Sequence, residues 1–108
     1  FAVDGAGSEG VNFIFPFSVF ATSPGAPRIL RGLSPGQPKH CGLEIIEEPH
    51  FPEDWQGSFI ACDFRGNRIN RFRLERAGSS YMARQMPDVL ASNHRAFRPI
   101  DVKVGPDG

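Results

Sequence analysis

The sequence predicts an all-β fold, and three observations predict it. Twelve glycines and ten prolines in 108 residues cut the chain into short segments separated by turns. Phenylalanine is abundant, with ten copies against one tryptophan and one tyrosine, and aromatic residues favour strands. Near the end, Ile100, Val102 and Val104 alternate with Asp101 and Lys103, which is the two-residue period of a strand.

Composition bounds the function. The formal net charge is zero, so bulk electrostatics point neither to nucleic acid nor to an anionic membrane. No apolar run approaches the roughly 20 residues of a membrane-spanning helix, and no leader peptide is visible. The last strand runs into a Gly105-Pro106-Asp107-Gly108 turn with no second strand to pair, and the chain starts at Phe1 in running sequence. It therefore reads as a piece cut from a longer protein. Isolated, such a piece would leave strand edges open and self-associate.

Taken in order, residues 1–10 are Gly-rich and read as loop. Residues 11–20 are apolar but carry Pro16, which limits them to short edge pieces. Residues 21–39 hold Pro24, Pro27, Pro35 and Pro38 and read as a long connection with one short strand at 28–30. A loop that long covers a binding face or serves as a linker. Residues 41–46 form a first strand. Residues 47–57 are a polar connection anchored by Trp55, and residues 58–63 are a second strand. Arg65-Gly66-Asn67 turns into a third strand at 68–74. Ala77-Gly78-Ser79-Ser80 turns into a weaker fourth at 81–86. Residues 87–96 read as irregular, with one helical turn at 88–91, and 98–104 begin a new strand.

Four sequential strands followed by a restart make a unit of about 50 residues, the period of propeller blades. The expectation is one four-stranded antiparallel blade at 41–86, the start of the next at 97–108, and part of a preceding blade upstream. In that topology the first strand lines a central channel. An antiparallel pairing sets Cys41 beside Cys62 and Asp63. His40, Cys41, Asp63, Phe64, Arg65, Gly66 and Asn67 then share one rim, and Arg98 and Asp101 reach it from the neighbouring blade. The same register leaves both a Cys41–Cys62 disulfide and two free thiols open.

Four stretches carry a family resemblance. They are Pro38-Lys39-His40-Cys41-Gly42-Leu43-Glu44-Ile45, Phe51-Pro52-Glu53-Asp54-Trp55-Gln56-Gly57, Cys62-Asp63-Phe64-Arg65, and the run from Phe97 to Gly108. Together they resemble the bacterial membrane-bound dehydrogenase domain, which is similar to the soluble quinoprotein glucose/sorbosone dehydrogenase propellers. The resemblance covers residues 12–108. It implies an exported, periplasmic propeller, membrane-associated only through other parts of its parent. Any c-type haem would sit in those other parts, since no Cys-x-x-Cys-His occurs here. It also implies oxidation of a sugar or polyol, with pyrroloquinoline quinone and calcium as cofactors.

On this reading His40 is the candidate base for a hydroxyl proton. Arg65 and Arg98 are candidate anchors for a carboxylate-bearing cofactor. Asp63, Asn67 and Asp101 are candidate substrate contacts. Each has a plainer alternative: a hydrogen-bonded rim histidine, Arg–Asp pairs, and strand-end organisation. His40, His50 and His94 fit no zinc pattern. The arginines at 65, 68, 71, 73 and 76 suggest nucleic acid, but a strand splits them between its two faces, and a solvated strand accounts for them better. The rival reading, from a different class, is a non-catalytic propeller that binds a glycan or a protein partner on the same rim.

Overall fold

A computed structural model describes residues 1–4, 10–12, 16–17 and 39–107. The described chain is all-β, with one short 3-10 turn at Glu53–Trp55. Strands β1 (Ala2–Asp4) and β2 (Gly10–Asn12) form an antiparallel pair. Strands β3 (His40–Ile45), β4 (Phe59–Asp63), β5 (Arg68–Ala77) and β6 (Ser80–Ala91) form a four-stranded antiparallel sheet in sequential order.

β4 is central and buried along its whole length. That explains its near-continuous apolar run, Phe-Ile-Ala-Cys, because both faces are covered. Phe59 pairs directly with Phe72 of β5, and with Ala61 and Ala83 they make the core of one face. Fully burying each phenylalanine is worth about 2–3 kcal/mol. The other face buries Ile46, Ile60 and Cys62. There the Arg71 guanidinium lies 4.2 Å from the centre of the Trp55 ring and 3.6 Å from Asp54, and Phe51 stacks on Trp55. Trp55 thus anchors the β3–β4 connection, as its sequence position predicts.

Several expectations change. Residues 1–10 are not all loop: Ala2–Asp4 and Gly10–Asn12 are strands. Tertiary contact supplies what local propensity lacks. Val3 packs on the core, and the Phe1 ring sits 4.7 Å from Phe59 and 5.6 Å from Tyr81. The expected segment at 11–20 is described only at 11, 12, 16 and 17. The connection at 21–39 and its strand at 28–30 lie outside the described residues, Lys39 apart.

The fourth strand is longer than 81–86 and absorbs the helical turn expected at 88–91. Pro87 does not end it because β6 is an edge strand, where a missing N–H removes no ladder bond. The surplus residues enter an irregularity in the pairing: Ile69 faces Leu90, yet Arg71 faces Met86. Pro87, Asp88 and Val89 fill it.

The strand expected at 98–104 is not in a sheet. Pro99 has no N–H, and no ladder partner lies among the described residues. Instead this segment lies against β3 with both chains running the same way. Cys41 Sγ is 3.5 Å from the Pro99 carbonyl, Asp101 packs on Gly42, and Lys103 Nζ is 3.2 Å from Glu44.

Gly42 makes that approach possible. Its φ is +58° at the bulge in β3, and a Cβ there would stand 2.9 Å from the Asp101 Cα. Gly78, in the β5–β6 turn, has φ +62° with open space around it. Gly78→Ala should therefore cost only the left-handed conformation, about 1 kcal/mol. Gly42→Ala should cost that plus displacement of the 99–103 segment, about 3 kcal/mol in all, comparable to other close-packing violations. Paired urea melts check this, and equal losses would mean the segment does not rest on β3.

Candidate functional site

The end of the sheet where β3 begins and β4 ends gathers the candidate residues. The His40–Asp63 pairing closes the β3–β4 ladder, and the turn at 64–67 leads into β5. Asp63 is 1% exposed and organises this turn. Its Oδ1 accepts the Lys39 N–H at 3.1 Å and the Gly66 N–H at 2.9 Å, while Oδ2 lies 3.8 Å from Arg68 Nε. A side chain at Gly66 would collide with this carboxylate, its Cβ only 2.2 Å from Oδ2. Asp63 is thus a structural carboxylate inside the rim.

His40 is also buried, at 3% exposure, with its ring edge against Phe72 at 5.7 Å. Its Nε2 is 3.2 Å from Asn70 Oδ1, and Asn70 Nδ2 donates to Asp88 Oδ1 at 2.7 Å. A carboxylate only accepts, so the Asn70 amide must turn its nitrogen to Asp88 and its oxygen to His40. His40 Nε2 must then carry a proton and donate it. The other ring nitrogen, Nδ1, is buried and has no hydrogen-bond partner among the described residues. Arg68 closes the chain, with Nη1 at 3.4 Å from Asp88 Oδ2. A buried polar series therefore runs His40–Asn70–Asp88–Arg68–Asp63 and takes a member from every strand of the sheet.

The exposed part of the rim is basic. Phe64 carries two cations on its ring, Arg98 at 4.9 Å and Lys39 at 5.7 Å from the centre. Arg98 is fixed further by donating Nε to the Arg95 carbonyl at 3.2 Å and Nη1 to the Phe64 carbonyl at 3.3 Å. Neither Lys39 nor Arg98 has a carboxylate partner among the described residues. Arg65 is exposed on the adjoining turn. The acidic residues Glu47, Glu48, Glu53 and Asp54 lie in the β3–β4 connection at the opposite end of the sheet.

The remaining candidates are structural in their contacts. Asn67 sits at φ 55°, and its amide donates to the carbonyls of Phe97 and Arg95, while its own carbonyl accepts the Ser92 N–H. It holds the 92–97 loop to the turn. Asp101 rests on Gly42 and caps the Val102 N–H at 3.0 Å. Sequence reasoning placed Phe64 on this rim but gave Asn70, Asp88 and Lys39 no site role. The available signal was an Asn70 that shares a strand face with Phe72 and Leu74.

No group of three or more His, Cys, Asp or Glu side chains among the described residues is placed to hold a metal ion. No helix among them is long and apolar enough to cross a membrane. Cys41 and Cys62 face each other in register as free thiols.

Removing the Asn70 amide tests the buried series. Asn70→Ala leaves the His40 N–H and an Asp88 oxygen without their partner, which should cost about 3 kcal/mol. Arg73→Ala, exposed on the same strand, should stay within about 0.5 kcal/mol of wild type. Denaturant titration of both variants reads the difference.

The chain matches one family model, described as Domain of unknown function (DUF7133), over residues 18–108. No curated protein and no solved structure gave a significant match. The family match takes in the whole rim and all four strands of the main sheet, and the chain belongs to the DUF7133 domain family.

Proposed function

We propose that the four-stranded sheet is one blade of a propeller, and that the propeller oxidises a hydroxyl group of a sugar or polyol. The packing supports the blade reading. One face of the sheet is covered by chain that precedes it, through Phe1 and Val3. Against β3 lies chain that follows, residues 99–103, running in the same direction. Propeller blades stack in this way, each between its predecessor and its successor, with neighbouring innermost strands side by side around the channel.

The observation that carries the chemical reading is the unpartnered Nδ1 of His40. An imidazole fixed through Nε2–H to Asn70, and through Asn70 to Asp88, has its tautomer set and its other nitrogen free to take a proton. That is the arrangement a base needs to remove a hydroxyl proton. At the rim, Lys39 and Arg98 are pre-positioned on Phe64 and suit a carboxylate-bearing cofactor or an anionic substrate group. The carboxylates of pyrroloquinoline quinone fit those cations, with Arg65 beside them, and the bound quinone would accept the hydride. Calcium fits less well: the described carboxylates are dispersed, with Asp63 and Asp88 already committed to Arg68. We derive no step through calcium. The resemblance to exported dehydrogenases supports a periplasmic setting.

A second reading is favoured by the 3% exposure of His40, which leaves its base with no open path to solvent. In it the propeller is not catalytic and binds a glycan or protein partner through Lys39, Arg65 and Arg98.

Titrating the intact protein with pyrroloquinoline quinone and calcium, then adding sugars and polyols with an electron-accepting dye, separates the two. The dehydrogenase reading expects saturable quinone binding and substrate-dependent dye reduction. His40→Gln should lower that reduction at least about 100-fold with quinone binding retained. Arg98→Ala should weaken quinone binding about 10-fold. Absence of quinone binding would make the rim-binding reading the leading one.

A further inference from the structure

Cys41 and Cys62 stand directly opposite each other in the β3–β4 pairing, and both are free thiols. Directly opposed residues hold their Cβ atoms about 4.5–5.5 Å apart, whereas a disulfide needs about 3.5–4.5 Å. The register therefore brings the pair close to bridging geometry. The β3 bulge falls between Cys41 and Leu43, so the ladder is already interrupted at Gly42, next to one partner. Bulges sharpen the local twist and free the backbone from strict register. The Cys41 sulfur lies 4.0 Å from the Cys62 carbonyl, already on the β4 side, and 3.5 Å from the Pro99 carbonyl.

The two thiols are unequal. Cys62 is fully buried, and burial, reinforced by Cys41 and Asp101, pushes its pKa up to about 11. Cys41 is half-buried and is raised too, mainly by burial. Access makes Cys41 the first to react, with Cys62 as the resolving partner.

We propose that Cys41 and Cys62 form a reversible cross-strand disulfide when a small disulfide oxidant reaches Cys41. The Cys41 thiolate attacks the oxidant and forms a mixed disulfide, expelling one small thiolate. The Cys62 thiolate then attacks the Cys41 sulfur and expels the second. Two protein S–H bonds are lost, one S–S bond is formed, and the two protons end on the two released thiols. Closure also takes the Cys41 S–H away from the Pro99 carbonyl.

The sequence makes the test direct. No lysine or arginine lies between residues 40 and 64, so trypsin releases both cysteines on one peptide ending at Arg65. The reduced, intact protein is incubated with oxidised glutathione, alkylated, digested and weighed. The expected product is this peptide two hydrogens lighter and unalkylated, restored by dithiothreitol. Its formation rate should rise about tenfold per pH unit below the thiol pKa, because the thiolate is the attacking species. In Cys41→Ser, Cys62 should stay reduced. Three results would overturn the proposal: a glutathione adduct that never closes, a disulfide between two copies, or no reaction in the folded protein when the urea-unfolded protein reacts.

Discussion

The buried polar series from His40 to Asp63 is the constraint on which the rest of this structure depends. It draws His40 from β3, Asp63 from β4, Asn70 and Arg68 from β5, and Asp88 from β6. His40, Asp63 and Asn70 are buried and would each carry a desolvation penalty alone, while Arg68 and Asp88 are half-buried. Together they leave only one buried nitrogen of the series without a partner, His40 Nδ1. A one-residue slip of any strand would turn its member to the other face and leave its partners unpaired. The apolar pairs Phe59–Phe72 and Leu74–Ala83 supply the burial energy, but many apolar registers would serve nearly as well. The polar series selects one of them.

That selection has consequences at the rim. With Asp63 held by Lys39 N–H, Gly66 N–H and Arg68, the 64–67 turn is fixed, and Phe64 is presented with it. Phe64 in turn seats Lys39 and Arg98, neither of which has a carboxylate partner among the described residues. At the other end of the sheet Asp54 and Trp55 both contact Arg71.

Much of the fold was legible in the sequence. The turn residues Arg65-Gly66-Asn67 and Gly78-Ser79 and the apolar runs between them mark the four strands and their order. The pairing of Cys41 with Cys62 follows from the same turns. What was not legible depends on tertiary context. Pro87 suggests a break, yet an edge strand tolerates it and uses the surplus residues to carry Asp88 inward. The Gly-rich start looks like loop, yet Phe1 and Val3 find a core to cover. For the site, sequence brought His40, Asp63, Arg65 and Asn67 to one rim but did not separate buried from exposed. His40 and Asp63 face inward, whereas Arg65 and Arg98 face solvent. No linear pattern distinguishes these, because burial here is decided by which strand lies across from each residue.

The protonation pattern of His40 tests this account most directly. Nitrogen-15 NMR of the intact protein, labelled at histidine, reads each ring nitrogen separately. The buried series predicts a proton on Nε2, donated to the Asn70 amide oxygen. A ring with Nε2 bare and its proton on Nδ1 alone would contradict it, because Nε2 could then not donate to the amide that Asp88 orients.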